Sequence, residues 1–294
     1  MPELPEVETI KNDLSKKLLN KKIKEVVVKK PKLVNGGVKK FKEILSGNKF
    51  KKINRRGKLI YIELYTSGFL LIHLKMTGQL IYKKEDKIIG GGHDLPSMRQ
   101  GGQGELQDKK LPNKYSHIIF TFSDQSNLYF NDQRQFGYMK IVDKDELKKV
   151  LEKFGVEPLS AEFTLNKFNE ILKGKKTAIK QVLLNQKFIA GIGNIYADEA
   201  CFLAKIKPNR KVDSISKKEI KKLHDSIKKV LKLAIKKRGT TFNDYRDADG
   251  NKGNFVKFLK VYGRGGEKCK RCNGIIKKVK LNGRGTHYCE ICQK

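Results

Sequence analysis

The chain has 294 residues and a mass of 33.6 kDa, enough for two core-forming domains, and 38% of it is hydrophobic. Its 65 Lys and Arg against 31 Asp and Glu give a formal charge of +34, which attracts polyanions: nucleic acid is the leading partner class and an anionic membrane surface the second. No run approaches the roughly 18 apolar residues of a membrane helix, and the acidic opening Met1-Pro2-Glu3-Leu4-Pro5-Glu6 lacks the apolar core of a secretory signal, so a cytoplasmic protein with no membrane partner is expected.

Val7, Ile10, Leu14 and Leu18 fall on one face of a helix over residues 5–19, and Pro5 suits its first turn. The period then changes. From about 23 to 142, runs such as 59–64, 69–74, 117–122 and 127–130 are rich in β-branched and aromatic residues and are separated by tight breaks. They predict an antiparallel sandwich or barrel. Residues 90–110 hold six glycines and few apolar residues, and are read as a surface loop. Beyond about 150 the helical period returns over 146–154, 165–172, 177–185, 194–205 and 216–238. In the last of these Ser216 and Glu219 form a capping box and Gly239 closes the helix. The class is α+β: an N-terminal helix plus antiparallel β-sandwich over 1–150, a helical domain over 151–262, and a β-hairpin over 263–294.

The hairpin is set by its cysteines. The chain has five, an odd number that argues against a disulfide framework in a reducing compartment. Cys269-Lys270-Arg271-Cys272 and Cys289-Glu290-Ile291-Cys292, 16 residues apart, supply four thiolates for one structural Zn²⁺. The segment between them alternates and ends in Asn282-Gly283, a hairpin turn. Four sulfur ligands leave no place for His287, and Cys201, alone in a helical stretch, reads as a packed core thiol. Gly191-Ile192-Gly193-Asn194 lies between two helical stretches, where Asn194 is expected to cap the second. A helix start with free N–H groups attracts phosphate, although a plain helical hairpin with a glycine turn fits the segment equally well.

The N-terminus has its own chemistry. The small Pro2 side chain predicts removal of Met1, which exposes a secondary amine. An α-amino group titrates at roughly 7.7–8.0, so part of it is unprotonated and nucleophilic at neutral pH. Attack on a sugar C1′ would give an iminium. Glu3 and Glu6 stand beside it for proton transfer. Taken alone, the segment reads more simply as a helix start.

Further segments supply context. His73-Leu74-Lys75-Met76-Thr77-Gly78, Asn131-Asp132-Gln133-Arg134-Gln135-Phe136-Gly137, Glu157-Pro158-Leu159-Ser160, Gly191-Ile192-Gly193-Asn194-Ile195-Tyr196-Ala197-Asp198-Glu199, Asp247-Ala248-Asp249-Gly250 and the four-cysteine finger, with the opening Met1–Thr9, resemble the formamidopyrimidine-DNA glycosylase family in order and from end to end. The resemblance implies a β-sandwich, a helix-two-turn-helix and a zinc-finger hairpin. It implies a bacterial base-excision enzyme that removes oxidised purines from duplex DNA and cleaves the abasic site. A monomer is expected.

By the same resemblance Pro2 is the nucleophile, Glu3 the proton donor and Lys58 the hairpin lysine that assists elimination. Asn194 and Arg284 clamp phosphates, Arg284 with the catalytic set, and Lys180 is counted with the DNA contacts. A flipped base leaves a gap to fill. Met76, Phe136 and Arg134 match the family's void-filling trio by residue type. Core packing is the alternative for Met76 and Phe136, but Gly78 and Gly137 beside them suggest loop tips. Gln133 and Gln135 depart from the family's Pro and second Arg, and the 90–110 loop looks like an insertion. The endonuclease VIII branch, which takes oxidised pyrimidines, is a rival that Leu4 and the 240–253 segment argue against. A non-enzymatic zinc-finger DNA binder is another.

Overall fold

The computed structural model describes residues 1–85, 87–92, 111–240 and 254–294, and for 87–92 the backbone alone. They form two compact units, Met1–Leu151 with Arg238–Asn254, and Glu152–Lys237 with Phe255–Lys294.

The first unit opens with α1 (Leu4–Leu18), whose Val7, Ile10, Leu14 and Leu18 are all buried. Ten strands follow: β1 (Ile23–Val28), β2 (Val34–Asn35), β3 (Phe50–Arg56), β4 (Leu59–Leu64), β5 (Phe69–His73), β6 (Gly78–Lys84), β7 (Lys87–Gly92), β8 (Ser116–Phe122), β9 (Asn127–Asp132) and β10 (Tyr138–Val142). They make two five-stranded sheets, β1-β8-β9-β6-β7 and β2-β10-β5-β4-β3, antiparallel except where β2 meets β10. Phe50 of the second sheet meets Phe120 and Phe122 of the first edge to face, at 6.1 and 6.0 Å, so the sheets close on an aromatic core.

Two local readings are corrected. The strand-rich stretch contains a helix, α2 (Val38–Leu45), whose Phe41 and Leu45 are buried at helical spacing. The glycine-rich loop begins later than expected, because Gly90, Gly91 and Gly92 pair with β6 as part of β7. Its remainder, 93–110, lies outside the described residues. So do 241–253, with the Asp247–Gly250 segment.

After α3 (Lys144–Leu151), the second unit holds α4 (Leu165–Leu172), α5 (Ile179–Leu184), α6 (Asn194–Ala204) and α7 (Lys217–Lys236) around Phe163, Phe168, Leu223, Ile227 and Leu231. Ser216 and Glu219 cap α7 reciprocally, and Gly239 beyond it takes φ +82°. β11 (Ile276–Leu281) and β12 (Arg284–Cys289) form the terminal hairpin, with Asn282 and Gly283 both at positive φ in its turn. No described helix is long and apolar enough to cross a membrane.

Candidate active site and nucleic-acid contacts

In the first unit, chemistry collects where α1 begins. Glu3 is its N-cap and lies 4% exposed, Pro2 is buried, and the chain's amine is on Met1, which is 36% exposed. Burial lowers that amine to about 6. Glu3 and Glu6 oppose the shift, while Lys58 and Arg134 add to it. The Glu3 amide donates to Glu6 Oε2 at 2.8 Å, and Glu6 Oε1 accepts the Thr240 amide at 2.6 Å. One carboxylate therefore ties the helix start to the segment after α7. Gly239 is required there, since a Cβ would lie 2.9 Å from Glu6 Oε1 and its φ is left-handed.

Lys58 reaches the same place from a hairpin. Gly57 and Lys58 are the two-residue turn between β3 and β4, and Gly57 takes φ +58°. A turn lysine is normally solvated, yet Lys58 is 6% exposed. Arg55 anchors the turn: its Nε donates to Glu8 of α1 at 2.8 Å and its Nη1 to the Gly57 carbonyl at 3.0 Å. Burial pushes Glu8 up, but hydrogen bonds from Lys11 and Arg55 outweigh it and hold the carboxyl below its ordinary value. His73 on β5 is lowered to about 3 by burial, then by Lys75 and Lys58, so it stays neutral. Its Nδ1 accepts the Lys75 amide at 3.0 Å.

Met76 and Phe136 are not core residues. They are 38% and 53% exposed, and the Arg134 guanidinium lies 4.7 Å from the Phe136 ring centre. The loops that carry them share one clasp. Buried Asp132 accepts the Gly137 amide at 2.7 Å, the Arg134 amide at 3.2 Å and the Thr77 hydroxyl, and the Thr77 hydroxyl accepts the Arg134 amide at 3.0 Å. Neither glycine tolerates a side chain: a Cβ at Gly78 would meet the Leu74 carbonyl at 2.5 Å, and one at Gly137 the Phe130 ring at 2.7 Å. Gln135 stands at φ +54°, the left-handed region. Asp132 was missed in the sequence because nothing in its spacing separates a clasp from a strand end.

The second unit holds a separate group. α6 begins at Asn194, but its N-cap is Gly193. Asn194 does not cap; its Nδ2 donates to the Gly285 carbonyl at 2.8 Å. The turn before it is locked by Gln186, whose amide donates to the Leu184 and Ile192 carbonyls and accepts the Gly191 amide. Gln186 carried no sequence signal. Arg284 is exposed at the hairpin turn, next to the carbonyl that Asn194 holds.

Lys180 corrects the expectation of a DNA contact. It is 1% exposed, and its ammonium sits 2.6 Å from Asp198, 3.0 Å from the Gly285 carbonyl and 2.9 Å from the Thr286 hydroxyl. All three donors are committed, so no phosphate can claim them. Asp198, wholly buried, also accepts the His287 amide at 2.9 Å. Lys180 and Asp198 thus fasten β12 to α5 and α6.

The four cysteine sulfurs lie within 4.8 Å of one another. Zn–S bonds of roughly 2.3 Å in a tetrahedron put sulfurs about 3.8 Å apart. The Cys269–Cys292 and Cys272–Cys289 separations are 3.8 and 3.5 Å. The Arg271 amide points at Cys269 Sγ and the Cys292 amide at Cys289 Sγ, which suits thiolates on a metal. The residues fit a structural zinc. His287 faces Asp198 instead, and Cys201 is a buried core thiol.

Residues 1–139 match the formamidopyrimidine-DNA glycosylase N-terminal domain, 154–245 the H2TH domain of the same enzymes, and 266–294 a zinc finger found in FPG and IleRS. A formamidopyrimidine-DNA glycosylase from Desulfitobacterium hafniense is 39% identical across the whole of both chains. One from Pelotomaculum thermopropionicum is 40% identical over all of this chain and 99% of its own. The structure is similar to that of Lactococcus lactis Fpg in complex with an abasic site containing DNA, with 34% identity, TM-score 0.84 and 99% of each chain covered. It matches equally the wild-type Lactococcus lactis Fpg with a N7-benzyl-Fapy-dG containing DNA, at 34% identity and TM-score 0.84 over 100% of each chain.

Proposed function

This chain belongs to the formamidopyrimidine-DNA glycosylase family, and from that premise we propose that it excises oxidised purines, 8-oxoguanine and formamidopyrimidines, from duplex DNA and then cleaves the abasic site. The observation that carries the reading is the cluster at the start of α1, where buried Pro2 and Glu3 lie with the buried turn lysine Lys58. An α-amino group titrates at roughly 7.7–8.0, so a useful fraction of the Pro2 amine is unprotonated and nucleophilic at neutral pH.

With Met1 removed, the Pro2 nitrogen attacks C1′ of the damaged nucleotide. The C1′–N9 bond breaks, the base leaves with a proton, and an iminium joins Pro2 to the opened sugar. Glu3 supplies the proton that opens the ring. Loss of the C2′ proton expels the 3′-phosphate, and a second elimination expels the 5′-phosphate. Lys58, held at the amine by its hairpin, assists elimination. Asn194 and Arg284 bind backbone phosphate. Met76, Arg134 and Phe136, exposed on clasped loops, fill the space the flipped base leaves. Cys269, Cys272, Cys289 and Cys292 would hold Zn²⁺, whose part is to fold the hairpin that carries Arg284. The protein acts as a monomer in the bacterial cytoplasm.

Borohydride trapping tests this. Wild-type protein incubated with an 8-oxoguanine duplex and reductant gives a covalent adduct through residue 2, located by peptide mass. No adduct would reduce the chain to a DNA binder. A marked preference for oxidised pyrimidine would move it to the endonuclease VIII branch.

A further inference from the structure

The chemistry above uses nothing from α7. That helix buries Leu223, Ile227, Val230, Leu231 and Ala234 against its unit. On the opposite side Lys217, Lys218, Lys221, Lys222, Lys229, Lys232 and Lys236 are all exposed. At about 100° per residue they fall within an arc of about 140°. At about 1.5 Å per residue they run about 28 Å along the axis.

A solvated helix face normally alternates charge, with acids three or four residues from its lysines. Here Glu219 lies off the lysine arc, and exposed Asp225 is the single acid within it, against seven lysines. Glu219 closes the capping box and binds Arg210 at 2.6 Å, and Asp225 pairs with His224 at 3.0 Å. Among the described residues none of the seven lysines forms an ion pair. Lys217 and Lys221, Lys218 and Lys222, and Lys232 and Lys236 stand four apart and repel one another. The face carries seven lysines against Asp225, a net charge of +6, and a regularly spaced polyanion would relieve it.

We propose that the outer face of α7 is an interaction surface for the phosphate backbone of duplex DNA, engaging stretches that carry no lesion. Phosphates of one strand rise roughly 3.4 Å each along the duplex axis while the strand winds away, so a few of them at a time would face the lysine arc. Such a surface strengthens sequence-independent binding and leaves chemistry untouched, which suits a protein that must scan a large excess of undamaged duplex. The proposal rests on the glycosylase reading only in choosing DNA as the polyanion.

The test replaces Lys218, Lys222, Lys229 and Lys236 together by Gln, which keeps helix propensity. A control with equal charge loss replaces exposed Lys39, Lys40, Lys148 and Lys149 of the first unit by Gln. The measurement is the slope of log affinity against log salt on undamaged duplex, where each lost phosphate contact removes about 0.9. The α7 variant should flatten the slope by about 2–4, and the control by much less. Single-turnover excision at saturating enzyme should be unchanged. Equal flattening in both variants, or none in either, overturns the proposal. So does an unchanged slope with loss of binding to anionic phosphatidylserine vesicles, which would assign the face to membrane. Borohydride trapping by the wild-type protein is scored separately, so failure of the enzymatic reading shows independently.

Discussion

Arg55 is bonded to Glu8 at 2.8 Å, and through this pair α1, which starts at the amine, holds the hairpin turn that presents Lys58. The same guanidinium binds the Gly57 carbonyl, so α1 and the turn that carries Lys58 hang on one half-buried fork. Arg55→Met should therefore let Lys58 drift while the amine stays in place. We expect Schiff-base trapping to persist and strand cleavage from the adduct to slow about tenfold, in line with the cost of small misplacements. Arg55→Lys should recover only part of the loss, because a lysine cannot serve Glu8 and Gly57 together. The check is the ratio of trapped adduct to cleaved strand under single turnover; an unchanged ratio would make the pair purely structural.

The buried amine makes a pH prediction. Its reactive form is the unprotonated one, so activity rises with pH through the amine's titration. The desolvation that lowers the Met1 amine to about 6 should likewise hold the Pro2 amine below its ordinary value once Met1 is removed, so adduct formation should climb below pH 7 and be nearly flat by pH 8. A profile still rising above pH 8 would mean that the nucleophile is solvated. Pro2→Gly, or a protein that keeps Met1, should lose excision yet retain duplex binding, measured on the same lesion duplex.

Arg134 presents only donors in a fixed fork. Facing an orphaned cytosine it meets two acceptors, O2 and N3; facing adenine it meets N1 beside a donor amine. Excision should be faster opposite cytosine, and Arg134→Ala should narrow the cytosine-to-adenine rate ratio. If the mutant slows both contexts equally, Arg134 binds phosphate instead.

Zinc removal, or Cys272→Ser, should abolish DNA binding while the first unit stays folded. The hairpin has only a small core about Phe202, Val261 and Ile276, so the metal is its folding energy. Circular dichroism and metal analysis of the stripped protein decide it, and full binding without zinc would contradict the role.

Lys180→Met should strand the buried Asp198 charge and cost about 3–5 kcal/mol in the second unit. Neutralising Asp198 in the same protein should return part of that. The salt dependence of DNA binding should not change. A shallower slope in Lys180→Met would restore Lys180 to the DNA contacts.

Much of this was legible beforehand because it is periodic or stoichiometric. The α1 face, the Ser216 cap and the four-cysteine spacing each follow from local rules, and the structure shows the same helix, capping box and sulfur cluster. What escaped was relational. Lys180 is a lysine in a basic chain until Asp198, 18 residues away in sequence, is folded against it. Asn194 looks like a cap, and only the Gly285 carbonyl shows where its amide goes. Asp132 and Gln186 act through bonds to backbone groups, which leave no trace in composition. α2 was hidden because about two turns of helix inside a run of strands offer too few apolar positions to shift the apparent period.

The clasp at Asp132 makes Met76, Arg134 and Phe136 a single tool. If these side chains fill the space a flipped base leaves, loops with one handle would carry them into the base stack together. The handle also sets what can vary: Gln133 and Gln135 flank the Arg134 tip and make none of the clasp's bonds, so the surface shown to the orphaned base can be re-cut residue by residue without re-forging the grip.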